Sequence, residues 1–129
     1  MSDEIKKFTF FYPVFNEEKN IERVINLADT VGKLLMEKEG IEDYEILVVD
    51  DCSTDSTPEK LEVLKKNNVH LRTIRHEQNK KLGGALKTGF YNATGDVILY
   101  SDADLPFDLH EAIKALRLMK IYDSDIVSA

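Results

Sequence analysis

Val97-Ile98-Leu99-Tyr100-Ser101-Asp102-Ala103-Asp104-Leu105-Pro106 is the stretch on which the reading of this 129-residue chain turns. Four residues of high strand propensity run into two carboxylates two positions apart, and Pro106, which lacks an N–H, stops the strand from continuing. Side chains alternate across a strand, so Asp102 and Asp104 leave the sheet on one side while the small Ala103 turns to the other. Two ionised carboxylates about 6 Å apart repel by about 3 kcal/mol at an effective dielectric of about 20, which a divalent cation or a shared proton relieves. A cation is the reading adopted here. Asp-x-Asp alone is a weak signal in an acidic chain, and Asp123-Ser124-Asp125 repeats it. The ordinary alternative is a turn cap at Asp102 with Asp104 facing water.

Strands and helices alternate on either side of this stretch. Phe8 to Phe15 is a nearly continuous aromatic and β-branched run broken by Pro13, as expected of a strand buried on both faces. Asn16 then reads as a helix cap, with Glu17 and Glu18 in the first turn; Ile21, Val24, Ile25, Ala28, Val31, Leu34 and Leu35 recur at helical spacing up to Gly40. Tyr44 to Val49 is a second strand that runs into the polar loop Asp50-Asp51-Cys52-Ser53-Thr54-Asp55. Thr57-Pro58 reads as a cap with proline in the first turn of a short helix through Leu61 and Leu64. Val69 to Ile74 is a third strand and Leu82 to Ala93 a third helix, closed by Gly95 before the fourth strand. Asp108 can cap a further helix carrying Leu109, Ala112, Ile113, Leu116 and Met119, and Asp125-Ile126-Val127 opens another strand.

This alternation predicts an α/β domain, a Rossmann-like, mainly parallel sheet with flanking helices and right-handed crossovers. In the nucleotide-binding half of such sheets the strand order is 3-2-1-4, with ligands at the carboxyl ends beside the switch point. That order gathers Pro13 to Glu17, Asp50-Asp51 and Ser101 to Asp104 along one edge.

Composition narrows the function. A formal net charge of −7 argues against a nucleic-acid surface but not against a nucleotide. No apolar run approaches the roughly 20 residues of a membrane helix, and the acidic start Met1-Ser2-Asp3-Glu4 is unlike a secretory signal, so a cytoplasmic location is expected. Cys52 is the only cysteine, which excludes an internal disulfide and a cysteine-based zinc site. His70, His76 and His110 lack metal-ligand spacing and read as ordinary surface or strand-edge residues. An acidic pocket of oxygen ligands suits Mg2+ or Mn2+, hard ions that share their shell with phosphate. Asp51 can accept from a ribose hydroxyl or a base N–H, or simply form a turn with Ser53 and Thr54. Asn79-Lys80-Lys81-Leu82-Gly83-Gly84 opens the third helix with small residues whose N–H groups an anion can approach, although close helix–sheet packing explains the glycines as well.

Taken together, Tyr12 to Glu18, Val48 to Asp55, Asn79 to Gly89 and Ser101 to Leu105 resemble the inverting family 2 glycosyltransferases of the GT-A fold, in particular the polyprenyl- and dolichyl-phosphate sugar synthases. The resemblance covers nearly the whole chain. It implies that Pro13, Phe15 and Asp51 contact the nucleoside, that Glu17 lies beside the nucleotide, and that Asp102 and Asp104 flank the metal and the sugar diphosphate. With Lys80 and Gly83 these form the expected site for a UDP- or GDP-linked sugar; the acceptor would be a lipid phosphate, met by a longer parent at the cytoplasmic face of a membrane. Cys52 and Lys81 stand where the family usually or often has glycine, which puts the local turns in question. Pro106 occupies a position where some mannose synthases offer a glutamine to the metal. Family members continue well past Ala129, so residues 1–129 are expected to be the donor-binding half of a glycosyltransferase, probing as a homo-oligomer because a sheet ending at its fifth strand leaves an open edge. Two rivals from other classes are a catalytically silent nucleotide-binding module and a receiver-type signalling domain. The second would need its acidic pair on the first strand rather than the second.

Overall fold

The computed structural model describes residues 5–103 and the backbone of Ile126–Ser128. The chain runs β1 (Lys7–Val14), α1 (Ile21–Lys38), β2 (Asp43–Asp50), α2 (Thr57–Lys66), β3 (Leu71–Arg75), α3 (Lys81–Asn92), β4 (Val97–Tyr100) and β5 (Ile126–Ser128). All pairings are parallel and the sheet order is β3-β2-β1-β4-β5, which contains the expected 3-2-1-4 arrangement. The helix expected from Asp108, together with Asp104 and Asp125, lies outside the described residues.

The sheet has helices on both faces because the chain changes direction after β3. The alternate residues Phe8, Phe10, Tyr12 and Val14 of β1 pack with Ile21, Val24, Ile25, Ala28, Val31 and Leu35 of α1 and Leu61 of α2. Phe11, Leu47 and Val49 point the other way, against Ala85, Leu86 and Phe90 of α3. A right-handed connection that reverses direction must cross the opposite face, which is where α3 lies. Its approach depends on Gly89: a Cβ there would sit 1.9 Å from Phe11 Cζ.

Pro13 lies in a central strand, where a missing N–H should break the ladder. Register explains its tolerance. Odd residues of β1 face β4, as the Ser101 N–H bond to Phe11 O (3.1 Å) shows, while even residues face β2, as the Asp51 N–H bond to Val14 O (2.9 Å) shows. Pairing with β4 ends at Phe11–Tyr100, so the missing donor of Pro13 falls two residues beyond that ladder.

Two expected helix starts move. α1 begins at Ile21 with Asn20 as its cap residue, not at Asn16, and α2 is preceded by Ser56, with Thr57 already helical. Both shifts have one cause: Asn16 and Thr57 are used to join neighbouring loops instead of capping their own helices. No helix among the described residues is long and apolar enough to cross a membrane.

Candidate functional site

The loops that follow β1, β2, β3 and β4 all leave the same edge of the sheet, because every strand is parallel. The β1 and β2 loops are laced together. Asn16 takes a left-handed conformation (φ 53°), and its side-chain oxygen accepts from the N–H groups of Thr54 (2.8 Å) and Asp55 (3.2 Å). In return the Asn16 N–H donates to Ser53 Oγ (2.9 Å) and the Glu17 N–H to Thr57 Oγ1 (3.0 Å). Asparagine tolerates positive φ better than most side chains do, which explains its presence at this crossing.

Asp51 sits at the centre of a second network. It is 4% exposed, and its Oδ1 accepts from His76 Nδ1 (2.7 Å) and from the Lys80 N–H (2.8 Å). Burial by itself would raise the Asp51 pKa, but the Lys80 N–H and the His76 ring outweigh it and hold the carboxyl below its usual range. His76 is also buried, its backbone N–H tied to Asp50 O and its Nε2 placed 2.8 Å from Thr88 Oγ1 on α3. His76 is thus not a surface histidine: it stands at the end of the outer strand β3, with its ring buried. Sequence reasoning tested it for metal spacing, whereas its partner is a carboxylate 25 residues away. The available signal was its place just after a strand, at the same sheet edge as Asp51.

Asp50, next to Asp51, points elsewhere. Its Oδ1 accepts from the Ser53 N–H (3.0 Å), and Arg75 Nε lies 3.5 Å from its Oδ2 while Arg75 Nη2 donates to Ser53 O (2.9 Å). Asp50 thus shapes the loop and Asp51 faces the site side of it.

The remaining sequence-selected residues divide by what occupies them. Pro13 is buried in β1, while Phe15, just past the strand, keeps 46% of its surface exposed. The Glu17 carboxylate accepts from Asn20 Nδ2 (3.2 Å) and its carbonyl from the Asn20 and Ile21 N–H groups, so it also starts α1. Lys80 reaches Asp51 through its main chain, and its exposed side chain runs past Gly84, where a Cβ would meet Lys80 Cβ at 2.5 Å. Gly83 has nothing within 4 Å of its Cβ position, so close helix–sheet packing does not account for it; Gly89 performs that service. Asp102 is exposed immediately after β4. Asp104 lies outside the described residues, and among the described residues no three His, Cys, Asp or Glu side chains group as a metal centre. An exposed carboxylate at a strand end fits a hard divalent ion that takes its other oxygens from a ligand and water.

The two positions where glycine is usual in the family keep a backbone suited to glycine. Cys52 (φ 66°) and Lys81 (φ 64°) both hold the left-handed conformation that glycine adopts without strain.

Comparison with known proteins agrees with this arrangement. Residues 9–129 match the family described as Glycosyl transferase family 2. The chain is 36% identical over 114 residues to a dolichol-phosphate mannosyltransferase of Pyrococcus furiosus, covering 86% of this chain and 30% of that protein. Among solved structures it is similar to S. aureus TarS 1-349 in complex with UDP, at 26% identity and a TM-score of 0.72 over 92% of this chain and 33% of that one. The mannosyltransferase PcManGT from Pyrobaculum calidifontis, in complex with GDP-Man and Mn2+, shares the fold at 24% identity and a TM-score of 0.71, over 87% of this chain and 32% of that one. The chain spans about a third of the length of these relatives.

Proposed function

Because this chain belongs to the family 2 glycosyltransferases, we propose that it is the donor-binding part of an enzyme that transfers a sugar, with inversion, from a nucleoside diphosphate to a lipid phosphate. The observation that carries the reading is the single sheet edge shared by exposed Phe15, the ionised carboxylate of Asp51 and exposed Asp102. Exposed Phe15 offers apolar surface to the base, with Pro13 buried in the strand that leads to it, and Asp51 accepts from a base N–H or ribose hydroxyl. Glu17 borders the nucleotide. The first turn of α3, with Lys80 and unobstructed Gly83, faces the diphosphate with N–H groups and positive charge.

Asp102 and Asp104 would hold Mg2+ or Mn2+, whose chemistry when bound is to neutralise the charge that builds on the departing diphosphate. A lipid phosphate is already anionic, so the acceptor needs no strong base. Such an acceptor is met at the cytoplasmic face of a membrane. The P. furiosus mannosyltransferase named above supports this acceptor class, and the UDP held by TarS supports the nucleotide.

Thermal melting tests the reading. UDP or GDP with Mn2+ is expected to raise the melting temperature of this chain, and Asp104→Asn to remove the metal-dependent part of the rise. No rise with either nucleotide would overturn it.

A further inference from the structure

We infer that His76 is a positioning residue for donor recognition: by donating from Nδ1 to Oδ1 of Asp51, it sets the rotation of that carboxylate so that Oδ2 is turned to the nucleoside. The inference deepens the proposed function and rests on it. An ionised carboxylate has no proton to give, so in the 2.7 Å contact the proton belongs to His76 Nδ1. In neutral histidine Nε2 is then an acceptor, and the Thr88 hydroxyl 2.8 Å away is its donor. The Asp51 carboxylate, which can only accept, thereby selects the Nδ1–H form, and the Thr88 hydroxyl, able to donate or accept, matches it.

The geometry is built to be rigid. The His76 main chain is held at Asp50 O (2.9 Å), its ring is buried, and Thr88 is carried by α3, which Gly89 seats against Phe11. Both bonds to Asp51 fall on Oδ1, from His76 and from the Lys80 N–H. Neither of these two bonds reaches Oδ2, and the Lys81 N–H beside the carboxylate further favours its ionised form.

Three forms of the chain test this by titration calorimetry with UDP, GDP and inorganic pyrophosphate, each with Mn2+. His76→Leu keeps bulk and loses the donor; His76→Asn keeps an N–H donor near the place of Nδ1. Loss of a hydrogen bond to a charged group predicts that His76→Leu weakens the bound nucleoside diphosphate by about tenfold or more. Pyrophosphate should stay within about twofold, because it makes no use of Asp51, and His76→Asn should recover nucleotide binding to within about threefold of the parent. Ring nitrogen NMR shifts of the parent should place the proton on Nδ1. Equal losses for nucleotide and pyrophosphate, or Asn binding as weakly as Leu, would reduce His76 to a structural tie and overturn the inference. If His76→Leu does not fold, a proton found on Nε2 in the parent overturns it by itself. A parent chain that binds neither UDP nor GDP overturns the nucleotide reading instead, before any variant is compared.

Discussion

Glu45 and Asp51 are carboxylates on or just after the same strand, β2, and both are buried, at 3% and 4% exposure. Their surroundings differ in one respect. At the amino edge of the sheet, Glu45 Oε1 meets Arg72 Nη1 (2.5 Å), and Oε2 accepts from Thr9 Oγ1 (2.8 Å) and the Thr94 N–H (2.7 Å). Both oxygens are used, and the residue ties β1, β2, β3 and the turn before β4 together. At the carboxyl edge, the bonds to Asp51 from His76 and the Lys80 N–H both fall on Oδ1. Equal burial therefore accompanies different surroundings: Glu45 is held on both oxygens by other strands, whereas Asp51 is held at the ligand edge by the residues that lead into α3. Backbone strain follows the same division, since among the described residues the non-glycine positions with positive φ are Asn16 and Cys52, in loops of the carboxyl edge, and Lys81, which opens α3 there.

The contrast can be broken by substitution. Glu45→Ala leaves the part-buried Thr94 N–H, the buried Thr9 hydroxyl and the half-exposed Arg72 without their acceptor, and is expected to cost about 2 kcal/mol of stability. Chemical denaturation measures that loss, and the nucleotide affinity of the folded fraction should be unchanged. Asp51→Asn reverses the pattern, losing about 2 kcal/mol of nucleotide affinity by calorimetry with a smaller loss of stability. If the two variants lose stability and affinity in the same proportion, the distinction between the edges fails.

Acid sharpens the comparison. For both carboxyls burial would raise the pKa, but hydrogen bonds lower it on balance, those of Thr94, Arg72 and Thr9 for Glu45 and those of Lys80 and His76 for Asp51. A depressed folded pKa means stability that is present above the unfolded value and lost as pH falls through the folded one. Melting temperature should therefore decline as pH drops below about 4, with nucleotide binding following Asp51 and not Glu45. The smallest effect concerns strain. Cys52→Gly and Lys81→Gly relieve left-handed backbone at the cost of a more flexible unfolded chain, for a net gain of about 0.5 to 1 kcal/mol each, measured as a rise in denaturation midpoint.

Much of the fold was legible because its signals are local. The apolar run of β1, the helical spacing through α1 and the breaks at Gly40 and Gly95 needed no distant partner to be read. The carboxylates at strand ends were legible too, since a parallel sheet sends every strand end to one edge. Asn16 and Thr57 misled because both residue types cap helices well, and only the neighbouring loop reveals the competing use. His76 was missed for a related reason: its role depends on a ring buried between a loop and α3.

By itself, then, the sequence determined the order of strands and helices and the kinds of side chain delivered to the ligand edge, because propensity and periodicity act over a few neighbouring residues. The tertiary structure alone decided how each buried carboxylate is held, which proton His76 donates and why Pro13 is tolerated. Those outcomes depend on hydrogen-bond partners supplied by other strands and loops, and such partners exist only once the sheet has set its register.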